Sequence, residues 1–273
     1  VAKKYFGENR MKLISRTGFP KKTKLDKPGV TPVTAKQEKE SEFYRKYQKV
    51  PTLPFQPRFL DFEKDVETLS FEGGNTLYLS ENPVNDFFQL TLRYNIGRLH
   101  DPDFIDGAGI LNVVGAGEMS LGELKEKFAA LGVSYQFQPF QNFIQIQLRG
   151  RETNLAKSLE YLSLIIEEPN FAENTKKIYL NRVIADRKIE KENPNIIGRA
   201  LYDYAVYGKD SYYLSRKSEK ELKAMDEILM ANKFLDATKN YSADIFYSGN
   251  IGSEELIETL IKTLPFTRKE NKM

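Results

Sequence analysis

A single histidine, His100, and no cysteine among 273 residues set the chemistry that this sequence can carry. A protein zinc site takes three or four ligands, mostly His and Cys with acidic help, so the chain lacks the means to build one of the usual kind. The same counts exclude disulfides and Cys–His nucleophile pairs. A Ser-His-Asp triad would have to use His100, which stands directly before Asp101-Pro102 and reads as a surface or loop-packing residue. Two carboxylates remain. Asp186 lies among Arg182, Arg187 and Glu190 at helical spacing, where exposed ion pairs form. Glu118 stands just ahead of a helix N-terminus, where the dipole favours a carboxylate, and general-base work there would need a metal or acid partner that the sequence does not offer. The last pattern is a tyrosine run, Tyr202, Tyr204, Tyr207, Tyr212 and Tyr213, whose amphipathic rings suit either helix packing or a wall that contacts peptide or a partner surface.

The elements that position these residues follow from periodicity. Phe104, Ile105, Ala108, Leu111, Asn112 and Val113 fall at helical spacings and predict a buried, small-residue helix packed on a sheet, running into Gly115 and Ala116. Ser120 and Glu123 form a capping box that starts a helix at Leu121, and this helix ends before Gly132. Phe88, Leu90, Leu92, Tyr94 and Ile96 alternate with polar residues as a half-buried strand. Leu69–Phe71 and Leu77–Ser80 flank Gly73-Gly74-Asn75 as a hairpin. Val133–Phe140 and Phe143–Arg149 form a second hairpin, with Ile144, Ile146 and Leu148 on one face. Leu155, Leu159, Leu162, Ile165 and Ile166 make an apolar stripe that stops at Pro169. A charged helix over Glu173–Glu192 is predicted to face inward through Ile178, Val183 and Ile189, and another covers Ile196–Tyr207. Ser218 and Glu221 cap a helix carrying Leu222, Met225, Ile228 and Leu229, followed by a strand at Ala243–Ser248 and a helix at Gly252–Leu264. Hairpins and helices segregated along the chain predict an α+β two-layer sandwich, an antiparallel or mixed sheet with helices packed on one face.

The net charge of +3 hides a division. Residues 1–60 hold 15 Lys and Arg against 5 Asp and Glu, and residues 61–273 hold 26 against 33, so the two parts should attract each other. The basic part is rich in proline and poor in apolar residues, which predicts a linker (1–60) with one short strand at Tyr5-Phe6 and Met11–Ile14 and one helix in Lys36–Lys49. A compact domain is expected over 61–265, with 266–273 beginning a further linker. Lys and Arg are spaced rather than clustered, so no nucleic-acid partner is expected. No stretch approaches the ~18 apolar residues of a membrane span, and the lack of cysteine suits an exported or periplasmic chain.

The order strand, Asp101-Pro102 loop, small-residue helix, amphipathic helix resembles the opening of a domain of the M16 peptidases, the pitrilysin, insulin-degrading and mitochondrial processing group. In that family's catalytic half, a glycine and two further residues lead into H-x-x-E-H, whose two His bind zinc and whose Glu activates water. Setting that glycine on Gly109 puts Asn112 and Ala116 at the His positions and Gly115 at the Glu position. The family's further acidic ligand, counted back from Pro194, falls on Asp186. The stretches Tyr207–Tyr212 and Tyr247–Asn250 stand where the family has a turn between long helices and a strand leading to its last helix. Tyr5-Phe6-Gly7, Lys27-Pro28, Ser41-Glu42-Phe43 and Pro57–Phe62 are similar to the connector of double-length members.

With the diagnostic ligands replaced, the resemblance implies the non-catalytic half of a longer zinc-dependent metalloendopeptidase. It implies no cofactor in this chain and zinc in the catalytic half. The implied partners are that M16 half, in the same or a neighbouring chain, and a peptide substrate, with Tyr202, Tyr204, Tyr207 and Tyr212 as contacts. The alternative is a degenerate M16 scaffold subunit with no role in proteolysis.

Overall fold

A computed structural model of the chain describes residues 18, 29, 40–52, 57, 59 and 61–266. The predicted strand at Tyr5-Phe6 and Met11–Ile14, the start of the Lys36–Lys49 helix, most of the connector-like segments and residues 267–273 lie outside the described residues. The chain divides into two units, Val1–Pro57 and Arg58–Met273. In the first, Ser41 accepts a hydrogen bond from the Tyr44 N–H and starts α1 (Glu42–Gln48), which has no buried residue.

The second unit is built on a six-stranded sheet in the order β1-β2-β8-β3-β6-β5. Its strands are β1 (Glu67–Phe71), β2 (Asn75–Glu81), β3 (Phe87–Tyr94), β5 (Val133–Pro139), β6 (Ile144–Arg151) and β8 (Ala243–Gly249). All neighbours are antiparallel except β2 and β8, which pair in parallel with Leu77 opposite Ile245, so the sheet is mixed. Across the centre, Leu90 faces Leu148 and Tyr247, and Leu92 faces Ile146 and Ile245. The two-residue period puts Leu77, Leu90, Leu92, Ile146, Leu148 and Ile245 on one fully buried face. Thr91, Arg93, Gln145, Gln147 and Phe246 stand on the other, partly solvated face. Each fully buried leucine or isoleucine contributes about 1.5–3 kcal/mol relative to exposure, which fixes the register against a one-residue slip.

The buried face is covered by α2 (Phe104–Leu111), α3 (Leu121–Leu131), α4 (Leu155–Glu167), α9 (Glu227–Asn240) and α10 (Ser253–Thr263). Phe234 of α9 meets Phe104 of α2 and Phe137 of β5 edge-on, with ring centroids 6.1 and 5.8 Å apart. A small ladder joins β4 (Gly115–Ala116) to β7 (Pro169–Asn170). The α+β two-layer architecture, with helices on one face of a mixed sheet, is therefore the one that the residue pattern predicts.

Three elements differ from the sequence expectation. The small-residue helix α2 ends at Leu111, with Asn112 as its C-cap, so Gly115 and Ala116 stand in β4 and not on the helix. The helix after Ser218 is two helices, α8 (Glu219–Ala224) and α9, because Met225 is extended and Asp226 caps the Ile228 and Leu229 N–H groups. The charged helix is α5 (Thr175–Glu192); Thr175 and Tyr179 are buried, and Leu180 and Val183 pack partly buried against the core, so of the three expected inward residues Val183 holds and Ile178 and Ile189 are exposed. After α5 come α6 (Pro194–Tyr207) and the short α7 (Tyr212–Ser215).

Candidate functional site

The resemblance sets the replaced zinc-ligand positions at Asn112, the C-cap of α2, and just beyond it in β4. Asn112 is fully engaged there. Its Nδ2 donates to the Ala108 carbonyl at 2.9 Å and to the Phe137 carbonyl at 2.9 Å, and its Oδ1 accepts from the Phe137 N–H at 3.0 Å. β5 is the edge of the sheet, so the Asn112 amide does for Phe137 what a neighbouring strand would do. On this helix an i, i+4 pair ending at Asn112 begins at Ala108, which is buried. Gly115 cannot carry a longer side chain without rearrangement, since a Cβ there would overlap the Met119 carbonyl.

The recess of about 370 Å³ beside Asn112 is lined by Lys125, Phe128, Tyr135, Gln136 and Arg182. Two cations, an amide and a phenol are a poor donor set for a divalent metal. Burial pushes the Tyr135 hydroxyl up to about 12, so it stays protonated at neutral pH. Asp186 does not reach this recess. It lines a separate groove with Asp106, Tyr179 and Glu190, and its carboxylate is 62% exposed, 3.9 Å from Arg182. The residues present do not fit a zinc site, and among the described residues no three His, Cys, Asp or Glu side chains form a metal-sized cluster.

At the opposite, N-terminal end of α2 lies an ionic knot that links four segments. Lys217 reaches Asp103 and, at 2.8 Å, Asp106; Lys233 reaches Asp103 and, at 3.1 Å, Asp101. The Tyr179 hydroxyl donates to Asp106 at 2.6 Å. Burial, then the adjacent Asp106 carboxylate, raises the Tyr179 pKa and keeps its proton in that bond. For Asp103, burial alone would raise the pKa, but hydrogen bonds from Lys217 and Lys233 outweigh it and hold the carboxyl below its ordinary value. The spacing of Asp101, Asp103 and Asp106 at a helix start was visible in the sequence, but their lysine partners lie more than a hundred residues away.

The tyrosines separate into two groups. Helix α6 has no buried residue, and Leu201, Tyr202, Tyr204, Val206 and Tyr207 are all exposed, Tyr202 at 73%. Tyr204 lines a groove of about 750 Å³ with Ile197, Leu201 and Leu214, while Tyr202 and Tyr207 lie outside it. Tyr212 is half-buried and stacked: Arg98 sits 4.5 Å and Arg216 5.2 Å from its ring centroid, and Tyr213 meets it edge-on at 5.2 Å. Arg216 is itself held by a bidentate pair with Glu190 at 2.9–3.0 Å. Arg98 belongs to this cluster although sequence reasoning missed it; the only local signal was an arginine following Gly97 in a loop.

No family model and no curated protein sequence matches the chain. Solved structures do match it. The M16 peptidase inactive domain from Pseudomonas fluorescens is 17% identical, with a TM-score of 0.61 over 76% of this chain and 53% of that one. The periplasmic protease PqqL from Escherichia coli is 14% identical, with a TM-score of 0.62 over 82% of this chain and 27% of that one. The ferredoxin protease FusC, solved with Arabidopsis ferredoxin, is 10% identical, with a TM-score of 0.62 over 90% of this chain and 28% of that one. The chain thus spans about half of the first structure and little more than a quarter of the other two. Its fold is M16-like.

Proposed function

We propose that this chain is a non-catalytic module of an M16-type peptidase, forming part of the wall that encloses a peptide and pairing with a zinc-bearing half that performs the hydrolysis. One observation carries the reading. In an M16-like fold, the helix end that would present metal ligands carries instead an amide tied to the sheet edge, beside Lys125 and Arg182. That arrangement serves structure and repels a cation. The zinc, the activated water and the proton transfers then belong to the partner half.

The pairing surface is the α6 flank, where Leu201, Tyr202, Tyr204, Val206 and Tyr207 are exposed together on a helix with no buried residue. Aromatic and arginine-rich surfaces of this kind supply the anchors of protein interfaces. The open face of the sheet presents Thr91, Gln145 and Gln147 beside the Arg93–Asp244 pair, hydrogen-bonding groups suited to an extended peptide backbone. Size-exclusion chromatography of this chain mixed with the H-x-x-E-H half encoded in the same genome tests the pairing. A 1:1 complex is expected, and Leu201→Asp should dissolve it; separate elution at tens of micromolar protein would contradict the reading.

A further inference from the structure

Between the β5–β6 turn and the corner joining α6 to α7 lies a recess of about 520 Å³, lined on one side by Phe140 and Phe143 and on another by Tyr212 and Tyr213. Two arginines enter it, Arg98 from the loop after β3 and Arg199 from α6. Arg98 is set in place by its backbone. Its N–H donates to the Phe140 carbonyl at 2.8 Å, and the Leu99 N–H donates to the Gln141 carbonyl at 3.0 Å. This approach needs Gly97, because a Cβ there would overlap the backbone of Gln141 and Phe143. The Arg98 guanidinium then lies over the Tyr212 ring, which holds its plane and leaves its N–H edge available.

The nearby arginines are already matched: Arg93 with Asp244 at 3.4 Å and Arg216 with Glu190. Among the described residues, Arg98 and Arg199 form no ion pair with a carboxylate. The one acid in the recess, Asp203, accepts the Tyr212 N–H at 2.6 Å, an attachment that fixes the start of α7. Arg98, Arg199 and Asp203 together leave a single excess positive charge between aromatic walls. That balance suits one carboxylate on an apolar chain, whereas a polyanion would meet Asp203.

We propose that this recess binds a peptide carboxylate, with Arg98 and Arg199 as the anion clamp and Phe140, Phe143 and Tyr212 as the wall for the adjoining apolar side chain. The proposal rests on the peptide-wall reading above and adds to it a preference among peptides. Arg98 is half-buried and pre-organised by stacking, so it contributes more than Arg199, which is exposed. The carboxylate can be that of a chain terminus or of a Glu or Asp side chain, two sources with the same chemistry.

Fluorescence anisotropy with the 273-residue chain separates them. The probes are three labelled decapeptides of one apolar, otherwise neutral sequence: amidated, with a free C-terminus, and amidated with one internal Glu. At least one carboxylate probe is expected to bind about tenfold more tightly than the amidated neutral probe, the gain typical of a charge-assisted pair. Whichever probe gains identifies the source. Arg98→Gln and the surface variant Arg199→Gln should each reduce that gain, read as the ratio of carboxylate-probe to neutral-probe affinity within each variant. Equal affinity for all three probes, or a gain that survives both substitutions, overturns the carboxylate recess and leaves the peptide-wall reading standing. Failure to bind any probe overturns both.

Discussion

Asn112 illustrates how a position with chemical potential is turned to architecture. Three hydrogen bonds, to Ala108 and to both backbone groups of Phe137, tie the end of α2 to the outer strand of the sheet. Asn112→Ala leaves two backbone groups of Phe137 without their partner and is expected to destabilise the fold by about 1–3 kcal/mol, read as a lower urea midpoint at unchanged slope. Asn112→His is expected to cost as much and to bring no stoichiometric zinc, since no second ligand stands nearby; a 1:1 zinc isotherm would contradict the assignment. The Asp103–Lys217 pair sets a pH dependence whose two limbs have opposite sign. Because the Asp103 pKa is lowered in the fold, its contribution is complete above the unfolded value of about 3.9 and is lost as pH falls through the folded one. For Lys217, burial opposes the charge, but the Asp103 and Asp106 hydrogen bonds raise the pKa. Its contribution is complete below about 10.4 and is lost as pH rises through the folded value. Lys217→Met should lower the stability plateau between these limits and flatten both limbs of a pH titration of Tm.

At the scale of elements, α6 differs from every helix that covers the sheet. With no buried residue, its side chains contribute little to this unit, so Leu201→Asp and Tyr204→Asp are each expected to change stability by no more than about 0.5 kcal/mol. If the flank is a pairing surface, the same substitutions abolish association with the zinc-bearing half. A large loss of Tm in either variant would mean that α6 is packed within this unit. Local signals made most elements legible in the sequence. The Ser120–Glu123 and Ser218–Glu221 capping boxes are both formed, and Gly132 ends α3 in the left-handed region. The alternation in Ile144, Ile146 and Leu148 gives the buried face of β6 directly. What was not legible depends on distant partners. The parallel pairing of β2 with β8 joins Leu77 to Ile245, and the inward face of α5 is decided by Asp106 meeting Tyr179 rather than by the apolar Ile178 and Ile189. The end of α2 is not visible locally because small apolar residues continue past Leu111, while the Asn112 amide has its partner on β5. The same limit hid Arg98, which is held by the distant turn at Phe140 and Gln141 and stacks on the still more distant Tyr212.

The molecule as a whole combines an M16-like fold with an exposed apolar flank on α6 and a helix end that does not offer metal ligands. A fold that does not depend on metal should keep its Tm when dialysed against a chelator; a fall of several degrees would reveal a structural ion. On the proposed reading, the open face of the sheet and the α6 flank face the second half. The chain spans about half or less of the structures it matches. The decisive measurement is hydrolysis of a mixed peptide pool by the zinc-bearing half, with increasing amounts of this chain added. Stimulation that saturates near one equivalent and is lost with Leu201→Asp is expected. Activity that is the same with and without the chain, although the two proteins co-elute, would contradict it and make the chain a scaffold with no part in proteolysis.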